Sequence, residues 1–314
     1  MLSKKPGALH VQLTWFDRSG TAAGTLGAPG VVQWPAISPD GGTVAAGRLD
    51  QPTGLVDVWL HDLARGSDSR FTFGPKTNQF PVWSPDGSQI AFISLRDGLG
   101  HVYQRATAGV AQDEVLGQPL GKPPRNTRAD DWSRDGRYLI EELTRFGNSE
   151  TGSDIWVLPL FGDRKPFPYL ETKFEETNAK LSPSGQWLAY VSNESKRDEV
   201  YVQSFPTPGG KRQVSISGGN LPIWSRDGNE LFFIGADRKL MAVDVNNRAS
   251  KDTSGKDVAT FEAGVPRPLF ETRLSPGAWY DVSKDGRFLM PTQLEQAAIV
   301  PMTVVVNWTA ELKR

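Results

Sequence analysis

The chain has 314 residues, with 35 Lys and Arg against 36 Asp and Glu, for a formal net charge of −1. That balance leaves no basic footprint for nucleic acid or anionic lipid, and zero cysteines exclude disulfides, thiolate metal sites and cysteine nucleophiles. With 23 prolines and 32 glycines, no stretch sustains a helical apolar stripe, and neither a membrane-length apolar run nor a signal-peptide core is visible.

In chain order, the first β-prone segments are Val11–Gly20 and Gly24–Gly27, which read as a third and fourth strand with no first pair before them. Six apolar runs follow, each broken at a turn of the Ser-x-Asp-Gly type and then resumed. The turns are Ser38-Pro39-Asp40-Gly41, Ser84-Pro85-Asp86-Gly87, Ser133-Arg134-Asp135-Gly136, Ser182-Pro183-Ser184-Gly185, Ser225-Arg226-Asp227-Gly228 and Ser283-Lys284-Asp285-Gly286. Successive turns are 46, 49, 49, 43 and 58 residues apart, a period that marks a repeat architecture.

Each turn carries its own chemistry. The serine bonds back to the backbone, proline sets φ at the first corner, Asp tolerates the second, and glycine takes a positive φ. A third strand follows each pair, as in Asp57–Leu60, His101–Tyr103, Asp154–Val157, Glu199–Val202 and Lys239–Val243, and then a more polar fourth. Trp83, Trp132 and Trp224 directly precede a turn serine, and Trp59 and Trp156 recur in the third strand, which suits packing between repeats. The excursion 246–264 is rich in Lys, Asp, Ser and Gly and reads as a mobile loop.

Four short antiparallel strands per repeat is the arithmetic of a propeller blade. We therefore expect an all-β, six-bladed β-propeller, one domain over residues 1–314 with repeats at about 31–300 and a tail at 309–314. The last blade is closed by both termini. The N-terminal strands at 11–27 join the C-terminal pair Tyr280–Val282 and Arg287–Met290, which hides two otherwise open edges. Met302–Trp308 offers a surplus strand, as in a chain descended from a seven-bladed relative.

The Ser-Pro-Asp-Gly turns, with Pro-x-Trp before them, resemble the PD40 (WD40-like) repeat of the TolB-type β-propeller superfamily over roughly residues 30–290. Leu13–Gly20 and Val305–Lys313 are similar to the C-terminal propeller regions of bacterial serine/threonine protein kinases. The resemblance implies a sensor or interaction module. It brings no kinase activity, because the chain lacks the Gly-rich phosphate loop, the His-Arg-Asp loop and the Asp-Phe-Gly motif. A kinase polypeptide with its catalytic part outside this sequence is a further reading.

Catalytic signals are sparse. The three histidines (His10, His61, His101) form no ligand pattern, and there is no Gly-x-Ser-x-Gly elbow, so no cofactor or metal is implied. Asp130 with Glu176, from neighbouring blades, is the carboxylate pair a hydrolase or lyase would use. The favoured expectation is a non-catalytic monomer that binds a protein, peptide or small ligand at the channel mouth. Arg128, Asp130, Glu176, Asn178, Asn220 and Trp279 open the innermost strands and are the candidate contacts, with Asp57, Asp154 and Glu199 expected away from the mouth. Lack of a leader suggests the cytoplasm, and a piece of a membrane-anchored protein would place it outside.

Overall fold

A computed structural model describes residues 11–109, 112–117, 120, 126–144, 152–251, 257–275 and 277–294. Blade A begins with β1 (Val11–Phe16) and β2 (Ala22–Gly30). Blade B follows as β3 (Val32–Ile37), β4 (Thr43–Asp50), β5 (Leu55–Asp62) and β6 (Ser67–Arg70), and blade C as β7 (Asn78–Trp83), β8 (Gln89–Ser94), β9 (His101–Ala106) and β10 (Glu114–Val115). Blade D holds β11 (Asn126–Trp132), β12 (Tyr138–Thr144), β13 (Asp154–Pro159) and β14 (Phe167–Leu170). Blade E holds β15 (Glu176–Leu181), β16 (Trp187–Ser192), β17 (Glu199–Ser204) and β18 (Arg212–Gln213). Blade F is β19 (Gly219–Trp224), β20 (Glu230–Gly235), β21 (Lys239–Lys251), β22 (Asp257–Ala263) and β23 (Arg267–Glu271). The chain then returns to blade A with β24 (Asp281–Val282) and β25 (Phe288–Gln293).

Blade A has the strand order β2-β1-β25-β24, so the two ends of the described chain close one sheet, in the six-residue register from Val11↔Gln293 to Phe16↔Phe288. The ring is complete at six blades, each inner strand touching the next from β3 round to β24. Met302–Trp308 lies outside the described residues.

The core is not central. Six apolar clusters each fill one junction between neighbouring blades. This is why the second strand of a repeat is apolar on both faces. In β8, Ile90 and Phe92 pack toward blade B while Ala91 packs toward blade D.

All six turns form as read. Ser84 Oγ donates to Asp86 Oδ1 at 2.6 Å and accepts from Gln89 N at 2.9 Å, and the bond from Ser84 holds the Asp86 carboxyl down at about 2. Ser184 replaces Asp in blade E without breaking the turn, its hydroxyl meeting Ser182 Oγ at 3.0 Å. Gly87, Gly136 and Gly228 have φ of 72°, 74° and 78°.

The segment expected as a loop at 246–264 is not one. β21 runs on to Lys251 and pairs with β22 in register from Val245↔Ala263 to Lys251↔Asp257. Its base is anchored by Phe261, buried against Trp187 and Trp224 with ring centroids 5.4 and 6.1 Å away. A polar composition concealed this apolar anchor. Among the described residues no helix is long and apolar enough to cross a membrane.

Two outcomes follow. A Cβ at Gly228 would sit 3.3 Å from Pro183 Cδ on a backbone that L-residues avoid, so Gly228→Val should cost about 1–2 kcal/mol in urea unfolding. Glu141, on β12, is buried at the junction of blades C and D, and burial alone pushes its carboxyl up to about 8. Its stabilising neutral form is fully present below the unfolded value near 4.5 and is lost as pH rises through about 8. Glu141→Gln should therefore flatten the fall in thermal midpoint between pH 5 and pH 8 and raise stability at pH 8 by on the order of 2–4 kcal/mol.

Candidate functional site: the blocked central channel

Four residues before each turn serine, the chain places Trp34, Phe80, Ala129, Asn178, Leu221 and Trp279. At Trp34, Phe80, Asn178 and Leu221 the backbone is left-handed, with φ of 53–55°, and the pairing register of each inner strand shifts there. Such a conformation costs a bulky residue on the order of 1–3 kcal/mol and needs surrounding contacts to hold it.

Those contacts cross the channel axis. The Trp34 and Phe80 rings are 4.2 Å apart between centroids, and Phe80 and Trp279 are 5.3 Å apart. From blade D, the Arg128 guanidinium lies 5.3 Å from the Phe80 ring and 4.7 Å from the Trp279 ring, a cation held on two aromatic faces. Arg128 Nε donates to Asp130 Oδ1 at 2.8 Å, and Nη2 donates to Glu142 Oε2 at 2.5 Å and Asn178 Oδ1 at 3.1 Å. Asn178 Nδ2 donates onward to Asn220 Oδ1 at 2.9 Å. Side chains from all six blades thus block one end of the channel.

The charges here are tightly constrained. Burial alone would lower Arg128, but the carboxylates of Asp130 and Glu142 more than offset it and raise its pKa. Burial pushes the Glu142 carboxyl up, against the pull of Arg128. Asp130 is fully buried, and its Oδ2 accepts the Ala179 N–H of blade E at 2.9 Å.

Beyond this blockage a cavity of about 790 Å³ opens toward the Ser-x-Asp-Gly turns. Trp34, Asn178, Leu221 and Trp279 form its floor, Trp83, Trp132 and Trp224 are in its wall, and the turns are at its rim.

The structure brings together five of the six residues singled out in the sequence. Asn178 and Trp279 face the cavity, whereas Arg128, Asp130 and Asn220 brace its floor from behind. Glu176 stands apart. It lies six residues ahead of its turn serine, 2% exposed, with Oε1 accepting from Thr172 at 2.7 Å and Ser192 at 3.4 Å, and burial raises it to about 6. Asp57, Asp154 and Glu199 are buried outside the cavity lining, Asp57 and Glu199 as anchors for the ends of fourth strands and the loops that follow. Asp57 Oδ1 accepts from Thr72 at 2.8 Å and Asn78 at 3.0 Å, and Glu199 accepts from Ser215 and from Gly218 N. Trp34, Phe80 and Leu221 end the rim segments that the sequence marks as entering innermost strands, but they are not among the six candidate contacts. Their common offset from the turn serine was the available signal.

No protein-family model matches the chain. It is similar to the uncharacterized peptidase YuxL of Bacillus subtilis, at 24% identity over 207 residues covering 53% of this chain and 30% of that protein. It is also similar to the uncharacterized protein Atu1656 of Agrobacterium fabrum, at 28% identity over 166 residues covering 48% of this chain and 53% of that one. The match therefore spans about a third and about half of these curated relatives. Among solved structures, a candidate TolB from Agrobacterium tumefaciens superposes with a TM-score of 0.69 at 16% identity, covering 92% of this chain and all of that one. The fold is that of a TolB-like six-bladed propeller, and the kinase-like reading of the terminal segments finds no counterpart among these proteins.

Because Arg128 neutralises two buried carboxylates, Arg128→Ala should destabilise the fold by about 3–5 kcal/mol in urea unfolding. Adding Glu142→Gln should recover part of that loss. A single variant as stable as the parent would remove the guanidinium from its bracing role.

Proposed function

We propose that this chain is a non-catalytic binding propeller that receives a protein segment, peptide or small ligand in its axial cavity, entering from the turn face. The observation that carries this reading is the blind channel. It is open at one end, blocked at the other by an assembled floor, and its volume falls within the range of ligand sites. Trp34 and Trp279 offer flat apolar surface there, and the Asn178 amide, bonded to Arg128 and Asn220, holds the floor beside them.

Three features favour binding over catalysis. Asp130 and Glu142 are committed to Arg128, and Glu176 is buried outside the cavity lining. The two described histidines, His61 and His101, are not in the cavity lining. The peptidase relative shares only 30% of its length with the match, so its name does not transfer to this chain.

The test is a random dodecapeptide display selection on the purified chain, with hits measured by calorimetry. Trp34→Ala and Trp279→Ala should each weaken the hits by about 1–3 kcal/mol while circular dichroism stays unchanged. Binders indifferent to both variants would place the site elsewhere on the ring. Cleavage of any bound peptide that is abolished by mutation in this chain would overturn the non-catalytic assignment.

A further inference from the structure

The second position of the six inner turns is split between two chemistries. Blades B, C and E carry Pro39, Pro85 and Pro183, each lying against the turn glycine of the next blade. Blades D, F and A carry Arg134, Arg226 and Lys284 instead, and all three line the cavity at its mouth. Arg226 spans toward blades A and B, donating from Nε to Val282 O at 3.0 Å and from Nη2 to Ile37 O at 3.3 Å. Arg134 reaches past blade E and donates from Nη2 to the backbone oxygen of Arg226 at 2.7 Å. Arg226 is also paired with Asp281, its Nη2 3.4 Å from Oδ2, which leaves Arg134 as the guanidinium at the opening without a carboxylate partner among the described residues. Burial first, and then the charge of Arg226, lower the Arg134 pKa, against the opposite pull of Asp131 and Asp227.

The acids around them are already engaged. Asp131 accepts the N–H groups of Trp132 and Leu181, and Asp281 accepts those of Val282 and Ile37. Asp227 and Asp285 are held by their turn serines, and Glu230 is paired with Arg18 and Arg267. Among the described residues, neither Arg134 nor Lys284 forms an ion pair with a carboxylate. The mouth therefore presents cationic groups with free donors above an aromatic floor.

We propose that this mouth selects carboxylate-bearing ligands, with Arg134 and Lys284 taking the anionic group and Trp34 and Trp279 the apolar remainder. A guanidinium offers a planar pair of donors matched to a carboxylate, and an anion at Arg134 offsets the charge of Arg226 that acts on it. This inference rests on the cavity reading above. Carboxylates of an acidic peptide segment and those of a free small acid share the required chemistry.

The probes are a blocked hexapeptide of alternating Leu and Glu, its Leu and Gln counterpart, and citrate, each titrated by calorimetry at low and high ionic strength. The Glu peptide should bind at least about tenfold tighter than the Gln peptide, with the advantage shrinking as salt is added. Arg134→Gln combined with Lys284→Gln should remove that advantage, while Arg65→Gln, on the β5–β6 turn outside the cavity lining, should not. Citrate binding that is lost in the double variant would identify a small acid as a sufficient ligand, and binding of the Glu peptide alone would identify the peptide. Equal affinity for the two peptides, an unaffected double variant, or no binding of either anion at millimolar concentration overturns the proposal. Equal peptide affinities that both fall with Trp279→Ala would refute charge selection and leave the cavity reading standing. Peptide binding indifferent to Trp34→Ala and Trp279→Ala would refute the cavity reading itself.

Discussion

Among the described residues neighbouring blades share no hydrogen-bonded ladder, only single backbone bonds such as Gly219 N to Asp198 O, so the other backbone groups that their inner strands turn toward one another need side chains to meet them. The ring meets them one junction at a time. Asp281 accepts Ile37 N at 2.7 Å, Asp131 accepts Leu181 N at 2.7 Å, and Asp130 accepts Ala179 N. In the other direction, the indole of Trp83 donates to Ala36 O at 2.8 Å and that of Trp224 to Lys180 O at 3.0 Å. These bonds set the spacing of the strands around the axis, and the channel inherits its width from them. An aspartate or tryptophan in this belt is thus a structural fastener, however much its position suggests a ligand contact.

The belt also explains how a bulky left-handed residue can persist on four blades. Trp34, Phe80, Asn178 and Leu221 are each strained locally, yet each gains a cross-axis or lining position that a regular strand would deny it. Arg128 is a pivot of that arrangement, because it joins the aromatic side, formed by blades A, B and C, to the amide side, formed by blades E and F through Asn178. One guanidinium serves two carboxylates and two rings.

The architecture is legible in the sequence because its determinants are local. Ser84, Asp86 and Gly87 determine a turn within a few residues of themselves, and repetition at a fixed period does the rest. The site is legible only in part. Repeat phase places Arg128, Asn178 and Trp279 near the axis. Whether a side chain there meets solvent or a buried carboxylate depends on Glu142, which lies on a second strand, outside the segments that open the inner strands. Glu176 shares the residue type of a ligand contact, but it lies six residues ahead of its turn serine and is bound by Thr172 and Ser192 instead. The hairpin of β21 and β22 was obscured because its anchor, Phe261, is a single apolar side chain in a polar segment.

Blade A also orders events in time. The hydroxyls of Thr14 and Thr292, 2.8 Å apart in the finished sheet, are 278 residues apart along the chain. At ribosomal rates of about 5–20 residues per second, β1 waits on the order of tens of seconds for β25 to be made. Throughout that interval the edge of β1 that pairs with β25 has no strand beside it, while Leu13 and Trp15 already have Val32, Ile37, Val44 and Ala46 of blade B to pack against. The seam that completes the ring is therefore also a stretch that needs protection in a nascent chain, because the ring cannot close before β25 has been made.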